Sequence, residues 1–228
     1  MKKSLIFVIL ALTVCVATPA KAVLPVTFQE FKDRYQTEGR TMDGAAHLYF
    51  EAVFCYMNEA TRSEASKMLR YAMYQPNSEL EKSQNYGTFM SRLKDPAYHY
   101  IFRSFAAGTS PENSYSMNPD NFQLNIVATR AESDFHRLYL KSTGADSDRN
   151  IWMRQYDGLW YVINNASTYA QVREPKQASD ARHNAHDAEH DYPGATPGNG
   201  GQAPGKGAAP KGGTAGEADS GDPTPKLW

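Results

Sequence analysis

The segment from Arg149 to Ala166, RNIWMRQYDGLWYVINNA, constrains the fold of this chain more than any other stretch. Within it, Asp157-Gly158 separates two runs in which apolar and polar residues alternate. A type I′ turn needs two residues that tolerate positive φ, and Asp-Gly meets that need, so the segment predicts a β-hairpin. Alternation along the first strand places three side chains on one face: Trp152, Arg154 and Tyr156. This aromatic content predicts a curled sheet that packs against helices.

Helical signals fill the region before the sheet. Thr27 and Glu30 form a capping box that predicts a first helix near 28–38. The following run AAHLYFEAVFCYM is apolar nearly all round, which predicts a second helix buried on most of its surface. Thr61 and Glu64 form another capping box and predict a third, amphipathic helix.

Two more helices are predicted before the strands. One lies near 79–93, where Gly87 interrupts the pattern. The other begins at Asp95, an N-cap residue, and ends before Gly108. Five helices therefore come before the sheet.

After Gly108 the periodicity changes from helix to strand. Phe122, Leu124 and Ile126 alternate with polar residues as a first strand, and a second strand runs from about Phe135 to Lys141. Helices followed by an antiparallel sheet are typical of an α+β domain rather than a βαβ repeat. We therefore predict N-terminal helices packed on a curled antiparallel sheet of about four strands.

The first 22 residues have the pattern of a signal peptide. Lys2 and Lys3 precede an apolar run from Leu5 to Ala17, and Ala20-Lys21-Ala22 places small residues at the cleavage site. Cleavage there would leave Val23 at the N-terminus. No later stretch approaches the roughly 18 consecutive apolar residues of a membrane helix. The sequence predicts an exported protein, periplasmic or secreted, without a membrane span.

Cysteine usage agrees with a fold that depends on its core. Of the two cysteines, Cys15 lies in the signal segment and Cys55 in the domain, so no intrachain disulfide is expected after cleavage. Lipidation of Cys15 is the weaker alternative to cleavage, because Val14 stands where a small residue is usual. Cys55 is predicted to be a buried, unreactive thiol.

Residues 23–174 are predicted to form the globular domain and residues 175–228 a disordered tail. Gly, Pro, Ala and polar residues dominate that tail, which has few large apolar side chains to offset the entropy of ordering. Charge excludes nucleic acid as a partner, since residues 23–174 contain 16 Lys+Arg and 18 Asp+Glu and the whole chain carries a net charge of −1.

Three short motifs suggest a relationship. S-P-E-N at 110–113, S-T-G-A-D-S at 142–147 and D-G-x-W-Y-V at 157–162 are similar to those of a group of uncharacterised bacterial secreted proteins. The order of helices and a curled sheet that contains the last motif resembles the cone-shaped nuclear transport factor 2-like superfamily. The resemblance covers about residues 23–175 and implies a cone-like fold, but it brings no known catalytic residues.

The predicted buried helix carries one constellation that could support chemistry. His47, Glu51 and Cys55 recur at i, i+4 and i+8 and so lie on one face. His47 and Glu51 could act as an acid–base pair with a strand residue such as Tyr139. A Cys-His nucleophile is excluded, because eight residues of helix separate the two side chains by about 12 Å. The structural alternative is the polar side of an otherwise apolar helix.

Histidines at the start of the tail form a second constellation. His183, His186 and His190 stand among carboxylates, and imidazole with carboxylate binds zinc, nickel or copper. A solvated polar linker explains the same residues without a metal. No cofactor is expected in the globular domain.

The strands and their loops offer two ligand sites. The 142–147 loop, with Arg149, could present backbone N–H groups to an anion, or simply connect two strands. An apolar pocket could be lined by aromatic side chains of the hairpin, the alternative being core packing: Trp152, Tyr156 and Trp160.

These observations lead to three functional hypotheses. The leading one is an exported, non-catalytic binding or accessory module of the cell envelope. The alternatives are a small hydrolase or isomerase that uses His47 and Glu51, and metal binding by the histidine segment. The partners left open are an envelope protein, a small apolar ligand and, in a homodimer, a second copy.

Overall fold

A computed structural model describes residues 23–75 and 80–188, with the backbone alone for 185–188. The six helices of the described part are α1 (Phe28–Glu38), α2 (Met42–Met57), α3 (Arg62–Ala72), α4 (Gly87–Lys94), α5 (His99–Arg103) and α6 (Lys176–Ala188). Its four strands are β1 (Ile126–Ala131), β2 (His136–Leu140), β3 (Arg149–Tyr156) and β4 (Leu159–Asn164). The predicted α+β class is confirmed.

The four strands form one antiparallel sheet in the order β1-β2-β3-β4. The hairpin of β3 and β4 turns at Asp157 (φ 49°) and Gly158 (φ 80°), the two positive values that a type I′ turn requires. Register shifts at Ile126/Ala128 and at Trp152/Met153 are β-bulges, which bend the bulged strand and increase its local twist.

Helix α2 lies at the centre of the core, as predicted from its apolar surface. Residues 45, 46 and 48–56 are all buried, and the helix contacts α1, α3, α4, α5 and β4. Side chains from helices and sheet meet there without solvent exposure, among them Phe50, Phe102, Leu138, Met153 and Val162. Burial of an apolar side chain of this size contributes about 1.5–3 kcal/mol, so this layer supplies most of the driving force for folding.

The C-terminal end of α1 covers the β4 edge of the sheet. The Trp160 N–H donates to the Gly39 carbonyl at 2.8 Å, and the Tyr35 hydroxyl donates to the Trp160 carbonyl at 2.7 Å. These bonds satisfy backbone groups that an open edge would expose.

Of the two predicted capping boxes, the Thr27 half of the first one forms, while the Glu30 carboxylate accepts the N–H of Val26 at 3.0 Å. The Glu30 N–H donates to Thr27 Oγ1 at 3.2 Å, which confirms the cap of α1. The box at α3 was predicted wrongly, because the Thr61 hydroxyl donates to the Cys55 carbonyl at 2.6 Å. The Glu64 carboxylate instead accepts the Phe28 N–H at 2.8 Å, so it binds the first turn of a neighbouring helix.

Two other elements differ from the sequence prediction. The first strand begins only at Ile126, and Leu124 makes an isolated bridge to Ala106. The fifth helix is short, because a 3₁₀ turn over Pro96–Tyr98 precedes α5. Proline at the first position suits either kind of turn, so the sequence did not distinguish them.

The start of the predicted disordered tail is helical. Helix α6 begins at Lys176, whose ammonium group pairs with Asp180 one turn later at 2.6 Å. The Lys176 N–H donates to the Pro111 carbonyl at 2.8 Å, so the first turn contacts the globular domain. The remainder of the predicted tail and the predicted signal peptide lie outside the described residues. No helix in the described ranges is both long and apolar enough to span a membrane.

Candidate functional site

The predicted acid–base pair lies in a partly buried ion-pair network. Glu51 is 1% exposed, and its two carboxylate oxygens accept hydrogen bonds of 2.8 Å from the two terminal nitrogens of Arg34. The same guanidinium also binds Glu38 at 2.8 and 3.1 Å. A bidentate pair of this kind is the strongest form of arginine–carboxylate contact.

Both ring nitrogens of His47 lie within hydrogen-bond distance of an oxygen atom. Nδ1 lies 3.1 Å from Glu51 Oε1 and Nε2 lies 3.2 Å from the Phe122 carbonyl, and both partners can only accept. The ring also stacks on Phe122 at a centroid distance of 4.2 Å. Burial opposes protonation, but the hydrogen bond and the charge of Glu51 outweigh it and raise the pKa of His47. The geometry therefore favours the imidazolium.

This network contains two positive and two negative groups and joins α1, α2 and the segment before β1. A general base needs an unprotonated nitrogen within reach of a substrate, whereas both nitrogens of His47 have protein partners. Tyr139 lies on β2, opposite Asn150 in the sheet, and is not among the hydrogen-bond partners of His47 or Glu51. The arrangement is suited to joining secondary-structure elements.

Cys55 lies at the end of the same helix face. Its thiol is buried and contacts the Pro25 carbonyl at 3.5 Å. Burial, together with nearby Glu51 and Asp120, raises the pKa of the Cys55 thiol to about 12. A thiol in this state is a poor nucleophile, because the thiolate is the reactive form.

The three hairpin aromatics each contact another ring. Trp152 stacks on Phe135 at 4.6 Å, and Tyr156 stacks on Tyr74 at 4.1 Å. Trp160 makes an edge contact with His136 at 4.9 Å. All three remain partly exposed, and the space between α2 and the sheet is occupied by the buried core.

The described part of the histidine segment holds one complete side chain. His183 is exposed on α6, with Nδ1 3.0 Å from the Ser179 carbonyl. The side chain of His186 and all of His190 lie outside the described residues. Within the described residues, no group of three or more His, Cys, Asp or Glu side chains could bind a metal ion.

The segment that leads into the 110–113 motif contacts the 142–147 motif, about thirty residues later in the sequence. Thr109 and Thr143 share a hydrogen bond between their hydroxyls at 3.0 Å. Ser104 and Ser142 do the same at 2.8 Å in a fully buried position. Two N–H groups of the second motif also donate to protein carbonyls, Thr143 to Ser104 and Ala145 to Ser142, so they are already satisfied.

Tyr115 connects both motifs to the end of the domain. Its ring is buried, and its hydroxyl donates to the Arg173 carbonyl at 2.5 Å. The Arg173 N–H in turn donates to the Gly144 carbonyl at 2.8 Å. Gly144 lies so close to the Tyr115 hydroxyl that a Cβ would collide with it. Glycine in this motif thus permits the close approach.

Between these segments and α6 lies an open cleft of about 570 Å³, which we call the motif cleft. It is lined by residues 110–112, Thr143, residues 173–174, and Lys176, Ser179 and Arg182 of α6. Three basic and two acidic side chains line it together with hydroxyl groups. Arg173 pairs with Asp146 at 3.2 Å, and Arg182 pairs with Glu174. A ligand of mixed charge could exchange partners with these exposed pairs.

Sequence reasoning singled out the 110–113 and 142–147 motifs but not the α6 wall of the motif cleft. It assigned the region from residue 175 to a disordered tail, so Lys176 and Arg182 were not considered. Tyr115 was also missed, since a single tyrosine in a turn-rich stretch carries no signal of burial. The Lys176–Asp180 spacing of i, i+4 is a local signal that could have indicated a helix.

Comparison with known proteins places the chain in a family. A family model described as a domain of unknown function, DUF6935, matches residues 23–176, which is more than half of the chain. The chain belongs to the DUF6935 family. No curated protein and no solved structure matches it. The DUF6935 domain thus spans α1 to β4 and ends at the first residue of α6.

Proposed function

We propose that this DUF6935 protein is an exported, non-catalytic binding module of the cell envelope. Its motif cleft would take a polar segment of a partner protein that carries both charges. One observation supports this most directly: two motifs distant in sequence converge on one open cleft lined by hydroxyl, basic and acidic groups. Groups that line a cleft of this kind suit recognition by exchangeable hydrogen bonds and ion pairs.

Export is part of the proposal. The family match begins at Val23, the residue that would follow signal cleavage after Ala22. That agreement supports removal of residues 1–22 as a unit distinct from the domain. The intact mass of the protein from the envelope or medium should correspond to a chain that begins at Val23. A mass that includes residues 1–22, or a lipid on Cys15, would contradict cleavage at that site.

A relationship to the nuclear transport factor 2-like superfamily remains a proposal. It is supported by the order of the elements, with five helices before a bulged antiparallel sheet of four strands. The acid–base alternative lacks a comparable observation, because Glu51 and both nitrogens of His47 are bound by protein groups.

Photo-crosslinking in the native envelope tests the binding proposal. A photoreactive amino acid at Glu112 or at Ser179 places the probe on opposite walls of the motif cleft. The matched control is the same probe at Lys32, an exposed position of α1. We expect an adduct of defined mass from both cleft positions and none from the control.

Charge reversal sharpens that test. Lys176→Glu in the background of the Glu112 probe should reduce the adduct strongly, because it reverses one of the three positive charges of the cleft. Equal adducts from cleft and control positions, or adducts insensitive to the reversal, would argue against a specific partner at this cleft.

A further inference from the structure

A second, smaller cleft has a different chemical character. Its volume is about 210 Å³, below the range of about 300–1,000 Å³ typical of drug-sized ligands. Five of its eight lining side chains are apolar: Leu24, Phe54, Met57, Met117 and Pro119. The N-terminal segment, α2 and the segment before β1 all contribute to it, and we call it the apolar cleft.

One basic side chain of the apolar cleft lacks a partner. Arg103, in the last turn of α5, is exposed, and among the described residues its guanidinium makes no hydrogen bond or ion pair. A cation at a helix C-terminus is favourable with or without a ligand, so its position alone decides nothing. The second observation is the apolar lining, because burial of an apolar ligand surface against it would favour binding.

The other polar groups near the apolar cleft have protein partners. His99 is 8% exposed, and its Nε2 lies 2.9 Å from the Leu93 carbonyl. Asn58 Oδ1 accepts the Ala60 N–H at 3.1 Å. Asp120 lies beside this region, and its carboxylate accepts the Leu24 N–H at 3.0 Å. Arg103 is therefore the one lining group whose charge is left for a ligand, among the residues described.

We infer that the apolar cleft binds a small amphipathic anion, with a single carboxylate on Arg103 and a hydrocarbon or aromatic body against Phe54, Met57 and Met117. A guanidinium matches a carboxylate in charge and in planar geometry. Contact with methionine suits a variable apolar body, because its side chain adapts to irregular shapes. This site is separate from the motif cleft, and neither proposal depends on the other.

Methyl NMR of methionine tests this inference directly. The full mature chain is labelled at its methionine methyl groups and titrated with hexanoate, octanoate and decanoate below their micelle concentrations. We expect saturable shifts of the Met57 and Met117 signals with at least one chain length. Met153 is the internal control, because it is buried in the sheet and does not line the cleft.

Two variants separate the parts of the proposed site. Arg103→Gln should weaken carboxylate binding about tenfold, the equivalent of about 1.4 kcal/mol, and leave the affinity for octan-1-ol unchanged. Met117→Trp should fill the cleft and abolish binding of both the carboxylates and octan-1-ol. Arg173→Gln, in the motif cleft, should change neither and serves as the matched control.

The outcomes are distinct. No saturable shift with any carboxylate would overturn the site, as would shifts of equal size at Met57, Met117 and Met153. Equal binding of octanoate by the wild type and by Arg103→Gln would overturn carboxylate recognition. Loss of binding in Arg173→Gln would place the ligand in the motif cleft and overturn its assignment to the apolar cleft.

Discussion

Arg34 donates to both carboxylate oxygens of Glu51 at 2.8 Å, so a helix surface residue of α1 neutralises a carboxylate that is 1% exposed in α2. Glu51, a member of the predicted acid–base pair, is thus held by a bidentate contact between two helices. Breaking a buried pair on one side costs about 3–5 kcal/mol, because an uncompensated charge remains.

Glu51→Ala should lower the free energy of unfolding by less than this, about 1–3 kcal/mol, because Arg34 keeps Glu38 as a partner while His47 loses its carboxylate. Arg34→Met combined with Glu51→Leu should recover much of that loss, since neither charge is then left alone. Urea denaturation of the single and double variants measures the difference. Glu38→Gln is the control and should cost about 1 kcal/mol or less, because Glu38 is 39% exposed. A double variant as unstable as Glu51→Ala would contradict the pairing.

His47 should stabilise the fold more in acid than in alkali. Its pKa in the folded state is raised above 6.5, so its contribution is complete below pH 6.5 and is lost as the pH rises through the folded-state value. The difference in unfolding free energy between wild type and His47→Gln should be larger at pH 5.5 than at pH 8.5. A difference that grows with pH would show that the ring is bound as the neutral form.

His99 should show the opposite dependence. Burial lowers the pKa of His99 below 6.5, and the nearby charge of Arg103 acts in the same direction, although the bond to the Leu93 carbonyl opposes it. The neutral ring is therefore favoured, and its contribution is present above pH 6.5 and is lost as the pH falls through the folded-state value. His99→Gln should reduce stability less at pH 5 than at pH 8. NMR titration of both imidazoles provides an independent check.

Gly144→Ala tests the contact between the two motifs. The added methyl group would collide with the Tyr115 hydroxyl and lie 3.0 Å from Val172 Cβ, so we expect a loss of about 1–3 kcal/mol. Tyr115→Phe removes that hydroxyl. The cost of Gly144→Ala should therefore be smaller in the Tyr115→Phe background than in the wild type, and a double-mutant cycle measures the difference. Strictly additive costs would mean that the two residues are not in contact.

Cys55 should resist modification in the folded protein. Its thiol is buried and its pKa is raised to about 12, so the thiolate is scarce at neutral pH. A thiol reagent such as Ellman's should react slowly in buffer and rapidly in 6–8 M urea, where the denatured thiol has a pKa of about 8.5. Equal rates in both conditions would place the thiol at the surface.

Local features of the chain predicted its local structure well. The Asp157-Gly158 turn, the Thr27 cap and the buried α2 all follow from neighbouring residues, because turn dihedrals, caps and apolar periodicity are encoded within a few positions. The order of the elements along the chain, helices first and strands second, was enough to predict the α+β class.

The tertiary structure decided which of those side chains meet. Glu64 has the spacing of a capping box, yet it binds the N–H of Phe28 in another helix. Glu51 has the spacing to pair with His47, but nothing in the sequence points to Arg34, seventeen residues earlier, as its second partner. The convergence of residues 110–113 with 142–147 and α6 also depends on how the layers pack. Spacing along one element determines which side chains share a face, whereas contacts between elements depend on the three-dimensional packing of the whole core.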